Sequence, residues 1–572
     1  MGARFAIGID CGTNSVRALV ADVATGAEAG AAVFDYPTGD RGIVLDPSDS
    51  DLARQHPRDY LLGIEAAVRG AMAAAAAVPG FAPDRVIGIG VDTTGSTPIP
   101  VDEAGEPLAF QPRFANHPAA LAWLWKDHTA HAEALEITAG AAERRPQFLA
   151  KCGGAYSPEW YWSKLLRCRR AAPEVFAAAH TWVECADWIP AVLTGTTAPA
   201  NVKRGICAAG HKAMFHAGWG GYPDEAFLSG LDPELARVRR TLPAEAVDIA
   251  DAVGGLAPGW AAKLGLPAGI PVAAGALDAH LGAVGSGIQP GTLVKIIGTS
   301  TCDMAVAPLA QALPDIPGLC GIVPESILPG FHGLEAGQSA CGDIFDWFVR
   351  RLQPGGPAAG SHEALTRGAE ALRPGESGLL ALDWHNGNRT VLADPRLTGA
   401  VLGLTLHTTP AELYRAWIEA TAFGARAIVE RFEEYGVPIR RVVNCGGISA
   451  RNPMAMQIYA DVLNRPLEIS RSGQTCALGS AMAGAVVAGV ARGGHAEFAS
   501  AARAMTGVLD RAFRPDPAAA AVYARLYGLY RRLHDLFGTR TFAGNQFGLM
   551  KELLALRDEA RRGPAGRVSP GA

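Results

Sequence analysis

With 572 residues, the chain is too long for a single hydrophobic core, so two or more domains are expected. About half of it is hydrophobic (49%) and a fifth charged (19%), and a formal charge of −5 sets up no basic field to attract nucleic acid or an anionic membrane surface. The ten cysteines contain no C-x-x-C pair, which argues against a zinc site or redox dithiol and for free thiols in a reducing, cytoplasmic compartment.

The first predicted element is a β-hairpin. Apolar residues from Phe5 lead into Asp10-Cys-Gly-Thr-Asn-Ser15, and a second strand follows toward Asp22. Met1 to Phe5 shows no signal-peptide layout. A helix is expected over 58–77, whose alanine run is far short of a membrane span, and a strand over 86–91. A Gly/Pro-rich joint at 285–290 then precedes a second hairpin over 293–306, with Gly298-Thr-Ser300 at its tip. Further on come a helix over 411–435, a strand over 441–444, a Gly446-Gly447 turn and a helix over 453–464. Strands alternating with helices predict an α/β architecture, and the repeated hairpin predicts duplicated domains that face one another. The expected domains are 1–286 and 287–550, with a disordered tail over 561–572.

The hairpin tips suit phosphate. Gly12 lets successive N–H groups converge, Thr13, Asn14 and Ser15 add side-chain donors, and Asp10 at the strand end can hold hydrated magnesium. A plain polar turn fits one copy equally well, but two copies favour the phosphate reading. No Gly-Lys dipeptide occurs, so a Walker-A loop is absent, and no G-x-G-x-x-G follows the first strand. Asp278, between small and apolar residues, fits either a helix N-cap or a general base. Lys212 and Glu335 fit a surface ion pair or the ligands of a polyhydroxy compound. Trp123, Trp125, Trp160 and Trp162 fit core packing or a sugar-facing wall. His128, His211, His280 and His385 show no metal-ligand spacing, so no transition metal is expected.

The I-G-I-D-x-G-T-x-S-x-R start over 7–17 resembles the FGGY sugar kinases of the actin/hexokinase/Hsp70-like ATPase superfamily. The segment 272–285 resembles that family's catalytic-aspartate segment, and 445–452 its adenosine-binding turn. Segments 91–98, 123–130, 156–162, 207–214, 297–303, 333–339, 382–387 and 422–428 are similar to the members that act on L-ribulose. The resemblance implies two ribonuclease-H-like domains with mixed sheets flanked by helices, and an active-site cleft between them. It implies ATP with Mg2+, a ketopentose substrate, and a homodimer as a possible assembly. By the same resemblance Asp278 is the base, and Gly95, Ser96, Lys212, Asp278 and Glu335 bind sugar. Asp10, Gly12, Thr13, Asn14, Ser15, Gly298, Thr299, Ser300, Gly446, Gly447, Arg451 and Asn452 hold the nucleotide, with Asp10 and Asp278 toward the metal through water. The rival expectations are a sister kinase for D-ribulose or xylulose, and a sugar-independent ATP switch. Segment 141–152 carries none of these motifs yet belongs to the presumed sugar side.

Overall fold

The computed structural model describes residues 2–356 and 360–562. Two seven-stranded mixed sheets, each flanked by helices, organise the chain. The first sheet comprises β1 (Phe5–Cys11), β2 (Ser15–Asp22), β3 (Glu28–Asp35), β4 (Val86–Thr93), β5 (Ala252–Gly255), β6 (Pro271–Ala273) and β7 (Ala276–Leu277). Its order is β5-β6-β4-β1-β2-β3, with β7 also on β4. The second comprises β8 (Thr292–Ile297), β9 (Thr301–Pro308), β10 (Gly321–Pro324), β11 (Phe331–Ala336), β12 (Arg441–Cys445), β13 (Leu467–Ser470) and β14 (Val508–Phe513), in the order β10-β11-β9-β8-β12-β13-β14.

The two sheets repeat one plan. β1 pairs antiparallel with β2 and parallel with β4, and β8 pairs antiparallel with β9 and parallel with β12. β1 and β4 are buried along their whole length, which is why they read as nearly continuous apolar runs rather than as alternating strands. The α/β architecture with duplicated hairpins expected from the sequence is therefore present.

The helices that position the site are α1 (Pro57–Ala75), α2 (Ile206–Ala213), α3 (Asp278–Gly285), α4 (Pro410–Glu434), α5 (Gly447–Arg451), α6 (Pro453–Leu463) and α7 (Thr475–Ala488). α4 opens on a capping box in which Thr409 and Glu412 satisfy each other's backbone N–H groups. α1 ends two residues before its expected boundary, and β4 runs two residues past its own. The expected joint at 285–290 falls between the sheets, yet α7, from the far half of the chain, packs on β1, β4 and α3. Glycines make that possible: a Cβ on Gly8, Gly88 or Gly90 would come within 1.9 Å of a backbone carbonyl oxygen of α7. A further helix runs from Leu549 to Arg562, so the first two residues of the expected tail are helical, and 563–572 lie outside the described residues. Segment 141–152 reaches the second sheet, where Ile322 N–H donates to Lys151 O at 3.1 Å and the Lys151 ammonium meets Asp315.

Candidate active site

Three carboxylates converge at the carboxyl edge of the first sheet. Asp10 stands opposite Asp92 in the parallel β1–β4 register, and Ala276 of β7 also pairs with Asp92, which brings Asp278 alongside. Asp92 has no exposed surface; it accepts a hydrogen bond from the Ser480 hydroxyl of α7, while its Oδ1 has no partner. Burial, and then the Asp10 charge, push the Asp92 carboxyl well above the usual carboxylate range. Burial also raises Asp10, against the pull of Arg17 at 3.5 Å. Asp278, the first residue of α3, accepts from Ala279 N–H at 2.7 Å. Burial, followed by the Asp10 charge, pushes its carboxyl up to about 7. Its place at the helix start leaves the other carboxylate oxygen without a backbone bond. The sequence reading missed Asp92, although β1 carries Ile-Gly-Ile-Asp10 and β4 the similar Ile-Gly-Val-Asp92.

The hairpin tips present polar backbone. Gly12 N–H closes the first on Ser15 O at 2.9 Å, and Gly298 N–H closes the second on Ser300 O at 2.9 Å. The Thr13 hydroxyl oxygen accepts from Trp125 Nε1 at 3.0 Å, which leaves its proton to donate outward. The Asn14 amide N–H2 instead holds Arg41 O at 2.7 Å. The Gly298 and Thr299 carbonyls are tied down by N–H groups of residues 341–343. Trp125 touches Thr13 of the first tip, and Asp343 N–H donates to Thr299 O of the second.

Gly446 has φ +95°, and a Cβ there would meet Ile297 O at 2.5 Å, so the turn requires glycine. A Cβ on Gly447 meets nothing within 4 Å, and both glycines are exposed. Arg451 is exposed, whereas Asn452 commits its side-chain oxygen to Ala455 N–H at 2.9 Å and caps α6. An open glycine ledge beside the second hairpin tip can receive a flat ring.

Lys212, near the end of α2, and Glu335, on β11, are not a surface pair. The ammonium lies 3.1 and 3.0 Å from the two carboxylate oxygens, and both residues are buried. Burial raises the Glu335 pKa, but Lys212 and then His211 outweigh it and hold the carboxyl well below the usual range. The Ser96 hydroxyl is committed to Glu184, and Ser96 O accepts from the buried Lys164 ammonium at 2.8 Å. What remains to face a ligand there is backbone: a Cβ on Gly95 would come within 2.1 Å of Leu277, the residue before Asp278. Trp123 and Trp162 are core residues whose indole N–H groups each bond a carbonyl at 2.9 Å. The Trp160 ring lies 5.6 Å from the Lys212 ammonium. Histidines that look scattered in sequence also meet here, since His211 and His280 both pack against Glu335.

Residues 5–285 match the N-terminal domain, and residues 293–488 the C-terminal domain, of the FGGY family of carbohydrate kinases. A ribulokinase from Shouchella clausii is 41% identical over 576 residues, covering 98% of this chain and 99% of that protein. One from Mycolicibacterium smegmatis is 40% identical, with 98% and 97% covered. Among solved structures, the xylulose kinase from Rhodospirillum rubrum superposes with a TM-score of 0.74 at 25% identity, over 93% of this chain and all of that one. With both lobes matched and relatives aligned along nearly the whole length, the chain belongs to the FGGY family of carbohydrate kinases.

Proposed function

We propose that the chain transfers the γ-phosphoryl group of ATP to the terminal hydroxyl of L-ribulose, giving L-ribulose 5-phosphate and ADP. One observation carries the reading: Asp278, its carboxyl poised near 7, lies beside Asp10 and within the electrostatic reach of the Lys212–Glu335 pair. The names and near-complete coverage of the 41%-identical relatives support ribulose over another sugar.

Lys212 and Glu335 hold the ketopentose from the lobe junction, and the Gly95–Ser96 backbone limits it beside Asp278. Asp278 accepts the proton of the attacking hydroxyl as the new O–P bond forms, and ADP leaves. The tips at Gly12–Ser15 and Gly298–Ser300 hold the phosphates in line, and Gly446, Gly447 and Arg451 receive the nucleoside end. Asp10 and Asp278 would hold Mg2+ through water by hard carboxylate oxygens, and a carboxylate oxygen of Asp92 lies within 4.8 Å of one of Asp10. When bound there, the ion neutralises phosphate charge.

The test is ADP release in a coupled assay with L-ribulose, D-ribulose, L- and D-xylulose, glycerol, and no sugar. A dominant kcat/KM for L-ribulose supports the reading. Preference for another ketopentose makes the chain a sister kinase, and ADP release indifferent to every sugar makes it an ATP switch.

A further inference from the structure

His211 and Ser326 take no part in the reaction just described, yet both are built into the wall behind Glu335. His211, adjacent to Lys212 on α2, places Nδ1 3.1 Å from Glu335 Oε2 and Nε2 2.9 Å from the Ser326 hydroxyl. Ser326 lies between β10 and β11, so this contact crosses from one lobe to the other. All three side chains are buried. Glycines of the second sheet make room for them. A Cβ on Gly321 would come within 2.0 Å of His211 Nδ1, and a Cβ on Gly333 within 2.1 Å of the Ser326 hydroxyl. The ring and the hydroxyl are therefore seated directly against backbone, with little freedom to turn.

The placement of Nδ1 against a carboxylate favours one proton arrangement. Burial lowers the His211 pKa despite the nearby carboxylate, so the ring is neutral and carries one N–H. A bare nitrogen 3.1 Å from a carboxylate oxygen would set lone pair against lone pair, so the proton sits on Nδ1. Nε2 is then an acceptor and takes its hydrogen bond from Ser326, whose alternative acceptor is Val323 O at 3.0 Å. The serine hydroxyl thereby selects the histidine tautomer, as outer-shell partners do for other functional histidines. Lys212 donates to both Glu335 oxygens, and Oε2 alone also has His211 Nδ1 against it, at 3.1 Å. Oε1 is left with a lone pair free.

His280 completes the wall, its ring 4.4 Å from that of His211 and its Nε2 3.7 Å from Glu335 Oε2. Two imidazoles and a carboxylate suggest a metal ion. The Lys212 ammonium opposes one, because it already occupies both carboxylate oxygens and would repel a second cation.

We propose that Ser326 and His211 are positioning residues that hold Glu335 with Oε1 turned toward a hydroxyl of the ketopentose; this rests on the reading of Glu335 as a sugar ligand.

The test compares His211→Asn with His211→Gln, since an asparagine amide reaches the place of Nδ1 and a glutamine amide that of Nε2. Steady-state kinetics with L-ribulose and ATP are measured for both, with Ser326→Ala and Glu335→Gln alongside. His211→Gln is expected to raise the KM for L-ribulose on the order of tenfold or more, with the KM for ATP unmoved. His211→Asn stays near the parent value, and Ser326→Ala falls between. Equal L-ribulose KM values in the Asn and Gln variants, with Glu335→Gln impaired, overturn the positioning role alone. An unchanged L-ribulose KM in Glu335→Gln overturns the sugar-ligand reading and this proposal with it.

Discussion

At the scale of single residues, the site turns on how burial changes carboxylates. Glu335 is buried and Asp278 half-buried, but the single Lys212 ammonium spans both Glu335 oxygens while Asp278 faces the Asp10 charge. One carboxyl is driven down and the other up, which leaves one a fixed anion and brings the other's titration near neutral pH. Asp278→Asn is expected to fold and retain L-ribulose binding while turnover drops by roughly 10²- to 10⁴-fold, the usual worth of a general base. Substantial turnover in that variant would remove Asp278 from the role. A pH prediction follows from the raised pKa. A base works only when deprotonated, so at subsaturating L-ribulose and ATP the rate should decline as pH falls through about 7. A rate that stays flat down to the ordinary carboxylate range would contradict it. Asp10 and Asp278 were legible in the sequence because each closes a recognisable motif. Asp92 was not, because only the β1–β4 register brings it to Asp10.

At the scale of elements, the closest fit is between α7 and the first sheet. Gly8, Gly88 and Gly90 look in sequence like weak points in otherwise apolar strands. In the structure they are where a helix backbone rests on a sheet backbone, with α7 too close for any side chain between. Gly90→Ala, whose new Cβ would lie 1.9 Å from Ser480 O, is expected to destabilise by about 3 kcal/mol, in the upper range for overpacking. Urea unfolding measures it, and an unchanged midpoint would mean that the helix moves away freely. Because Ser480 also bonds Asp92, the same variant should lower activity more than its stability loss explains. The helix and strand periods were readable from the chain to within two residues. The partner of each element was not, since periodicity shows that a face is apolar without showing what covers it.

At the scale of the whole molecule, α7 and the Lys212–Glu335 and Lys151–Asp315 pairs join lobes that the sequence presents as consecutive halves. Heating should therefore give one transition, coincident in tryptophan fluorescence and circular dichroism; two separated transitions would show that the lobes unfold independently. The sequence by itself determined the α/β class, the two hairpins with their phosphate-suited tips, and the family motifs around Asp10, Asp278 and Gly446. These are local patterns, written in neighbouring residues by strand period, turn chemistry and the conformational needs of glycine. Only the tertiary structure decided that Lys212 and Glu335 are a buried pair, that the Ser96 hydroxyl and the Asn452 carbonyl are already spoken for, and that two distant histidines share one wall. The physical reason is that each of these depends on the distance between side chains remote in sequence, and on the loss of water around them, and both are set by packing.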